Sequence, residues 1–157
     1  MEKTKEYPPI LRELTVILAE DDSDDRLLFE DALDELPVSV KLTTVSNGEE
    51  LIEWLASNRN KLPDVLFLDL NMPRKNGFAT LSEIKRDDGL QDLPVIIFST
   101  ATKNEMIKQV YKDAAHYYIR KPVHFWELKE LIYKSLTLIA DHDTALPGKD
   151  SFMLTID

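Results

Sequence analysis

Three stretches of the chain are continuously apolar and stop at polar residues: Leu14 to Ala19, the Val65 to Leu68 core of the segment Asp64 to Leu70, and Pro94 to Phe98. Runs of this kind, with no polar alternation, predict strands buried on both faces of a sheet. Val38 to Val45 alternates apolar and polar positions instead, as expected for a strand with one exposed face at a sheet edge. Tyr117 to Arg120 predicts a short fifth strand. The intervening segments change period. Leu28, Ala32 and Leu36, with Leu33 beside them, give helical spacing over Ser23 to Leu36, ending before Pro37. Leu51, Ile52 and Leu55 mark a second helix, with Ser46 and Glu49 as its expected capping box. Phe78, Leu81 and Ile84 mark a third, and Met106, Ile107 and Val110 a fourth, with a capping box expected at Thr102 and Glu105. A last helix begins near His124 or Phe125 and carries Leu128, Leu131, Ile132, Ser135 and Ile139 on one face.

Strands alternating with helices predict an α/β fold, a doubly wound, five-stranded and mainly parallel sheet covered on both faces. Sheets of this type bind ligands outside the carboxyl ends of their strands. The residues at those ends are therefore the candidates for chemistry. The first run ends in Glu20, Asp21 and Asp22, the third strand in Asp69, the fourth in Ser99 and Thr100, and the fifth in Lys121. Carboxylates suit a hard cation, while a hydroxyl and an ammonium suit an anion. Magnesium together with a phosphoryl group satisfies both, and Asp21, Asp69 and the backbone carbonyl of Asn71 offer enough ligands for an ion that keeps some of its waters.

Composition narrows the partners. The chain has 157 residues, 43% hydrophobic and 31% charged, and a formal net charge of −10 from 29 acidic and 19 basic residues. That length fits one domain, expected at 13–140 with extensions at 1–12 and 141–157. A field of that sign repels nucleic acid and anionic membrane surfaces. There is no cysteine, so disulfides, thiolate metal sites and cysteine nucleophiles are excluded. No apolar run is long enough to span a bilayer, and Met1 to Pro9 carries charges and prolines where a signal peptide needs an apolar stretch; a cytoplasmic address is expected.

Four pieces of sequence stand in order at the strand ends: Val16-Ile17-Leu18-Ala19-Glu20-Asp21-Asp22, Asp64-Val65-Leu66-Phe67-Leu68-Asp69-Leu70-Asn71-Met72-Pro73 with Gly77, Pro94-Val95-Ile96-Ile97-Phe98-Ser99, and Tyr118-Ile119-Arg120-Lys121-Pro122. Over about residues 12 to 140 this arrangement resembles the receiver domains of two-component response regulators. The resemblance implies a flavodoxin-like sheet of order 2-1-3-4-5. It also implies that a sensor histidine kinase or a histidine phosphotransfer protein phosphorylates Asp69, giving a 4-aspartylphosphate. Asp21 would bind Mg2+ directly and Glu20 through water, Lys121 and Ser99 would contact the phosphoryl oxygens, and Ser99 with Tyr118 would form the switch, Tyr118 moving from exposed to buried. The family usually has the bond before Pro122 cis. Such a protein signals by binding an unknown downstream partner and is not an enzyme beyond slow Mg-dependent autodephosphorylation. Two other readings compete: a magnesium-dependent phosphohydrolase with Asp69 as nucleophile, and a receiver-like module that is never phosphorylated. Ala114 and Tyr117 depart from the family, which often has a glycine-containing turn before the fifth strand.

Plainer roles fit other residues. Asp22, Asp24 and Asp25 read as the cap and first turn of a helix, where negative charge meets the macrodipole. His116, His124 and His142 lack metal-ligand spacing and read as surface or partly buried, and Trp54 and Trp126 read as helix residues covering the core. The apolar positions Phe152, Met153, Leu154 and Ile156 lead to the expectation that the C-terminal segment docks on its own domain or pairs with a second copy of the chain as a homodimer.

Overall fold

The computed structural model describes residues 7–141 and 146–156. Its elements alternate as expected: β1 (Leu14–Ala19), α1 (Ser23–Asp34), β2 (Val40–Val45), α2 (Gly48–Ser57), β3 (Val65–Leu68), α3 (Gly77–Arg86), β4 (Val95–Ser99), α4 (Asn104–Lys112), β5 (Tyr117–Arg120) and α5 (Phe125–Ala140). All strand pairs are parallel and the order is β2-β1-β3-β4-β5, the flavodoxin-like topology. The edge strand β2 is partly exposed along most of its length, whereas β3 and β4 are buried throughout, which is why their sequences do not alternate.

Side-chain alternation divides the core between the two faces of the sheet. Leu14, Val16, Leu18, Phe67, Ile96 and Phe98 pack under α1 and α5, where Phe29 meets Phe67 and Phe98 edge-on with ring centroids 5.0 and 5.7 Å apart. Ile17, Ala19, Leu66, Leu68 and Ile97 pack on the other face with residues of α2, α3 and α4.

Local chemistry departs from expectation at several points. The N-cap of α2 is Asn47, whose Oδ1 accepts from Glu50 N–H at 2.9 Å, while Glu50 reaches back to Ser46 N–H at 3.3 Å. The box expected at Ser46 and Glu49 is thus displaced by one residue. The helix α4 starts after Lys103, with no side-chain cap, so Thr102 does not serve that role. His116 is buried and accepts from Val95 N–H, and Trp126 is 58% exposed, stacked on His124, and covers no core. His142 lies outside the described residues. Ala114, where a glycine is common in the family, holds φ at 67°, the left-handed region that costs a side chain about 1–2 kcal/mol.

Both ends of the described chain lie on the domain. Ile10 N–H donates to the Pro37 carbonyl at 3.1 Å, and Tyr7 and Tyr133 have ring centroids 4.7 Å apart. The C-terminal segment runs along β5: Tyr118 N–H donates to Phe152 O at 2.9 Å, and Leu154 N–H donates to Tyr118 O at 3.0 Å. These two bonds form a parallel bridge centred on Tyr118 and Met153. Of the two options for this segment, docking on its own domain is the one observed.

Candidate phosphoryl and metal site

Backbone bonds at the carboxyl ends of the strands fix each functional residue in turn. Glu20 N–H donates to Val45 O at 2.9 Å, Asp69 N–H to Ala19 O at 3.1 Å, and Lys121 N–H to Ser99 O at 2.9 Å. Each strand therefore continues its ladder for one residue, and the side chains of Glu20, Asp69 and Lys121 meet over the sheet end. Gly77 N–H ties the loop after Asp69 by donating to Leu70 O at 3.0 Å. A Cβ on Gly77 would stand 2.3 Å from Asp69 O and 2.7 Å from Leu70 Cα, so only glycine fits this approach.

Glu20, Asp21 and Asp69 each bring a carboxylate oxygen within 4.8 Å of the others; Glu20 and Asp69 are buried and Asp21 is exposed. Lys121 Nζ reaches into the cluster, in ion-pair contact with Glu20, 2.9 Å from Asp25 Oδ2 and 3.4 Å from Asp69 Oδ2. It also lies 5.3 Å from the centroid of the Phe98 ring. Burial pushes the Glu20 carboxyl up to about 8; the neighbouring Asp69 adds to this and Lys121 opposes it. The acids around Lys121 hold its ammonium above the ordinary lysine range despite burial. Glu20 Oε1 touches Lys121 but is, among the described residues, a buried oxygen with no hydrogen bond of good geometry.

Ser99 is fully buried at the end of β4, and its Oγ accepts from Ala101 N–H at 3.2 Å. Tyr118 is fully buried too, and its hydroxyl donates to Ala101 O at 2.7 Å. Burial pushes the Tyr118 phenol up, partly offset by the Ser99 hydroxyl beside it. The ring is therefore already inward in this structure, because Phe152 of the C-terminal segment covers it with centroids 6.2 Å apart. Asn71 N–H donates to Asp69 Oδ1 at 3.3 Å. No cis peptide bond occurs among the described residues, so the bond before Pro122 is trans.

Asp22 caps α1 as expected, accepting from Asp24 and Asp25 N–H at 2.8 and 3.1 Å. Asp25 does more than sit in the first turn, since it is a direct partner of Lys121. The signal that could have found it is the period of α1, which turns the third residue after the cap back toward the sheet end.

A doubly wound parallel sheet with three acids and a lysine gathered at one end defines an aspartate-centred receiver, a class of phosphoacceptor signalling modules. The response regulator receiver domain model matches residues 16–133, and the chain belongs to that family. Among solved structures it is similar to the phosphorylated cyanobacterial phytochrome response regulator RcpA, with a TM-score of 0.74, 30% identity and coverage of 87% of this chain and 100% of that one. It is also similar to RPA3017, a response regulator in red light signalling of R. palustris, with a TM-score of 0.75, 28% identity and coverage of 87% and 99%. Larger proteins match over the same region. NtrC of Escherichia coli is 34% identical over 122 residues, which is 78% of this chain but 24% of NtrC. The sensor histidine kinase CheAY of Helicobacter pylori is 31% identical over 128 residues, 80% of this chain and 15% of that protein. Among the described residues no helix is long and apolar enough to cross a membrane.

Proposed function

We propose that this chain is a cytoplasmic response-regulator receiver whose Asp69 accepts a phosphoryl group from a sensor histidine kinase or histidine phosphotransfer protein. The observation that carries this reading is the convergence of Asp69 with Glu20, Asp21 and Lys121 at one strand end. In the transfer, an Asp69 carboxylate oxygen bonds to phosphorus as the phosphorus–nitrogen bond of the phosphohistidine breaks, and the imidazole leaves with the electron pair of that bond. Lys121, beside Asp69 Oδ2, supplies positive charge to the arriving phosphoryl oxygens. Ser99, at the end of the adjacent strand, offers a hydroxyl to one of them.

The donor set fits Mg2+, being made of hard carboxylate oxygens that lie within 4.8 Å of one another, two of the three residues buried. Glu20, Asp21, Asp69 and the backbone carbonyl of Asn71 would hold the ion. When bound, it neutralises charge between the acids and an incoming phosphoryl donor. The domain assignment follows: 13–140 as the receiver, 1–12 and 141–157 as extensions, with output through a protein partner, here a downstream protein or a second copy of the chain. The net charge of −10 opposes nucleic acid and anionic membrane as targets.

Phosphotransfer to the wild type and to Asp69→Asn, with and without Mg2+, tests this reading. Stable label is expected on the wild type with Mg2+ alone, and equal labelling of both proteins would overturn it.

A further inference from the structure

The C-terminal segment occupies a place that connects physically to the Asp69 site. It does not run along one face of the sheet. Phe152 enters the cluster under α2, α3 and α4, whereas Leu154 enters the opposite cluster under α1 and α5, so the segment crosses the outer edge of β5 between them. Both side chains are buried, at 2% and 7% exposure. The Phe152 ring sits edge-on between Tyr111 of α4, with centroids 5.1 Å apart, and Tyr118 of β5. Two backbone bonds clamp Tyr118 from N–H and carbonyl alike, and Lys134 Nζ of α5 donates to Thr155 O at 2.9 Å.

Tyr118 passes this restraint inward. Its hydroxyl pins the carbonyl of Ala101, and the Ala101 N–H is bonded to Ser99 Oγ. The chain of contacts therefore runs from Phe152 through Tyr118 and Ala101 to Ser99, at the strand end neighbouring Asp69. Each link is a packed ring or a hydrogen bond shorter than 3.3 Å.

We infer that the β5 edge is an intramolecular peptide-binding site for residues 149–156, and that its occupancy is coupled to the state of Asp69. The docked segment fixes Tyr118, Tyr118 fixes the loop from Ser99 to Ala101, and a fixed loop presents the Ser99 hydroxyl to a phosphoryl group on Asp69 without a further ordering cost. Coupling between two sites is reciprocal, so phosphorylation holds the segment down as the segment favours phosphorylation. This rests on Asp69 being the phosphoacceptor, and the segment's role is positioning.

The test uses the full chain with acetyl phosphate and Mg2+, comparing the wild type, Phe152→Ala and Phe152→Leu. Steady-state label on Asp69 in Phe152→Ala is expected to fall by about five-fold or more, with substantial recovery in Phe152→Leu, which refills the apolar seat. In the wild type, hydrogen exchange at the Leu154 and Tyr118 amides is expected to slow by about two-fold or more on phosphorylation. The exchange measurement needs no variant, so a folding defect in Phe152→Ala leaves the inference exposed to refutation. A labelled wild type whose Leu154 and Tyr118 amides exchange equally fast with and without phosphorylation would overturn the coupling while leaving the phosphoacceptor reading intact. Absence of label on the wild type removes both.

Discussion

Strand β3 has a carboxylate at each end, Asp64 and Asp69, and the two ends are treated in opposite ways. At the amino end, Asp64 is satisfied on both oxygens: Oδ1 accepts from Arg12 at 2.6 Å, and Oδ2 accepts from Thr15 N–H at 2.8 Å and Thr15 Oγ at 3.0 Å. At the carboxyl end, Glu20 and Asp69 are buried beside each other and, with Asp25, share the single ammonium of Lys121. The same residue class thus serves two ends. Where both oxygens accept hydrogen bonds, the acid staples strands together; where several acids crowd around one lysine, the fold gathers oxygens that suit a cation.

The largest test of that contrast is Gly77→Ala. With no space beside Asp69 O, the variant must displace the loop after β3, at a cost of about 2–4 kcal/mol in urea unfolding. The Arg12 and Thr15 contacts of Asp64 at the far end should persist. A variant as stable as the wild type would show that the loop after Asp69 is not fixed by this approach.

Next in size is a pair of variants expected to differ in sign. Asp64→Ala strands Thr15 N–H and should lower stability by about 1–3 kcal/mol, most of it from the two Thr15 bonds, since Arg12 is more than a third exposed. Glu20→Gln removes a carboxyl that burial and Asp69 hold well above its ordinary pKa, and should raise the stability of the protein in a chelator at neutral pH by about 1 kcal/mol, while reducing its stabilisation by Mg2+. Parallel urea curves with chelator and with Mg2+ decide this. Loss of stability in both variants would erase the distinction between the two ends.

The smallest effect belongs to a third kind of carboxylate, on the surface. Asp87 accepts from both terminal nitrogens of Arg59, and that guanidinium, with the Gly89 N–H, lowers its pKa from 3.8 to about 2. A depressed carboxyl contributes stability that is complete above its unfolded value and disappears as pH falls through the folded one. The urea midpoints of the wild type and Asp87→Asn should therefore draw together between about pH 4 and pH 2. A constant gap across that range would show that the pair is not formed in solution.

Much of this was legible in the sequence because burial on both faces leaves a distinctive trace. The apolar runs of β1, β3 and β4 locate three strands, and the residues that end them include Glu20, Asp69 and Ser99. What was hidden depended on distant contacts. The cap of α2 has two candidate registers a residue apart, and Asn47 is seated where Gly48 N–H donates to Lys75 O at 3.0 Å, with no room for a side chain on Gly48. Asp25 reads as a first-turn acid from its neighbours, and its link to Lys121 joins residues 96 positions apart. The burial of Tyr118 in this structure also depends on a distant contact: its cover, Phe152, comes from a segment whose seat no local pattern specifies.

The two described ends of the chain meet on α5. Tyr7 and Pro8 from one and Thr155 and Ile156 from the other line a single groove with Tyr133, whose hydroxyl donates to the Pro8 carbonyl. A unit whose entry and exit lie side by side can be spliced into a surface loop of another protein with little stretching of the host. For a receiver domain, that geometry lets the fold sit within a longer chain without pulling its two flanking segments apart.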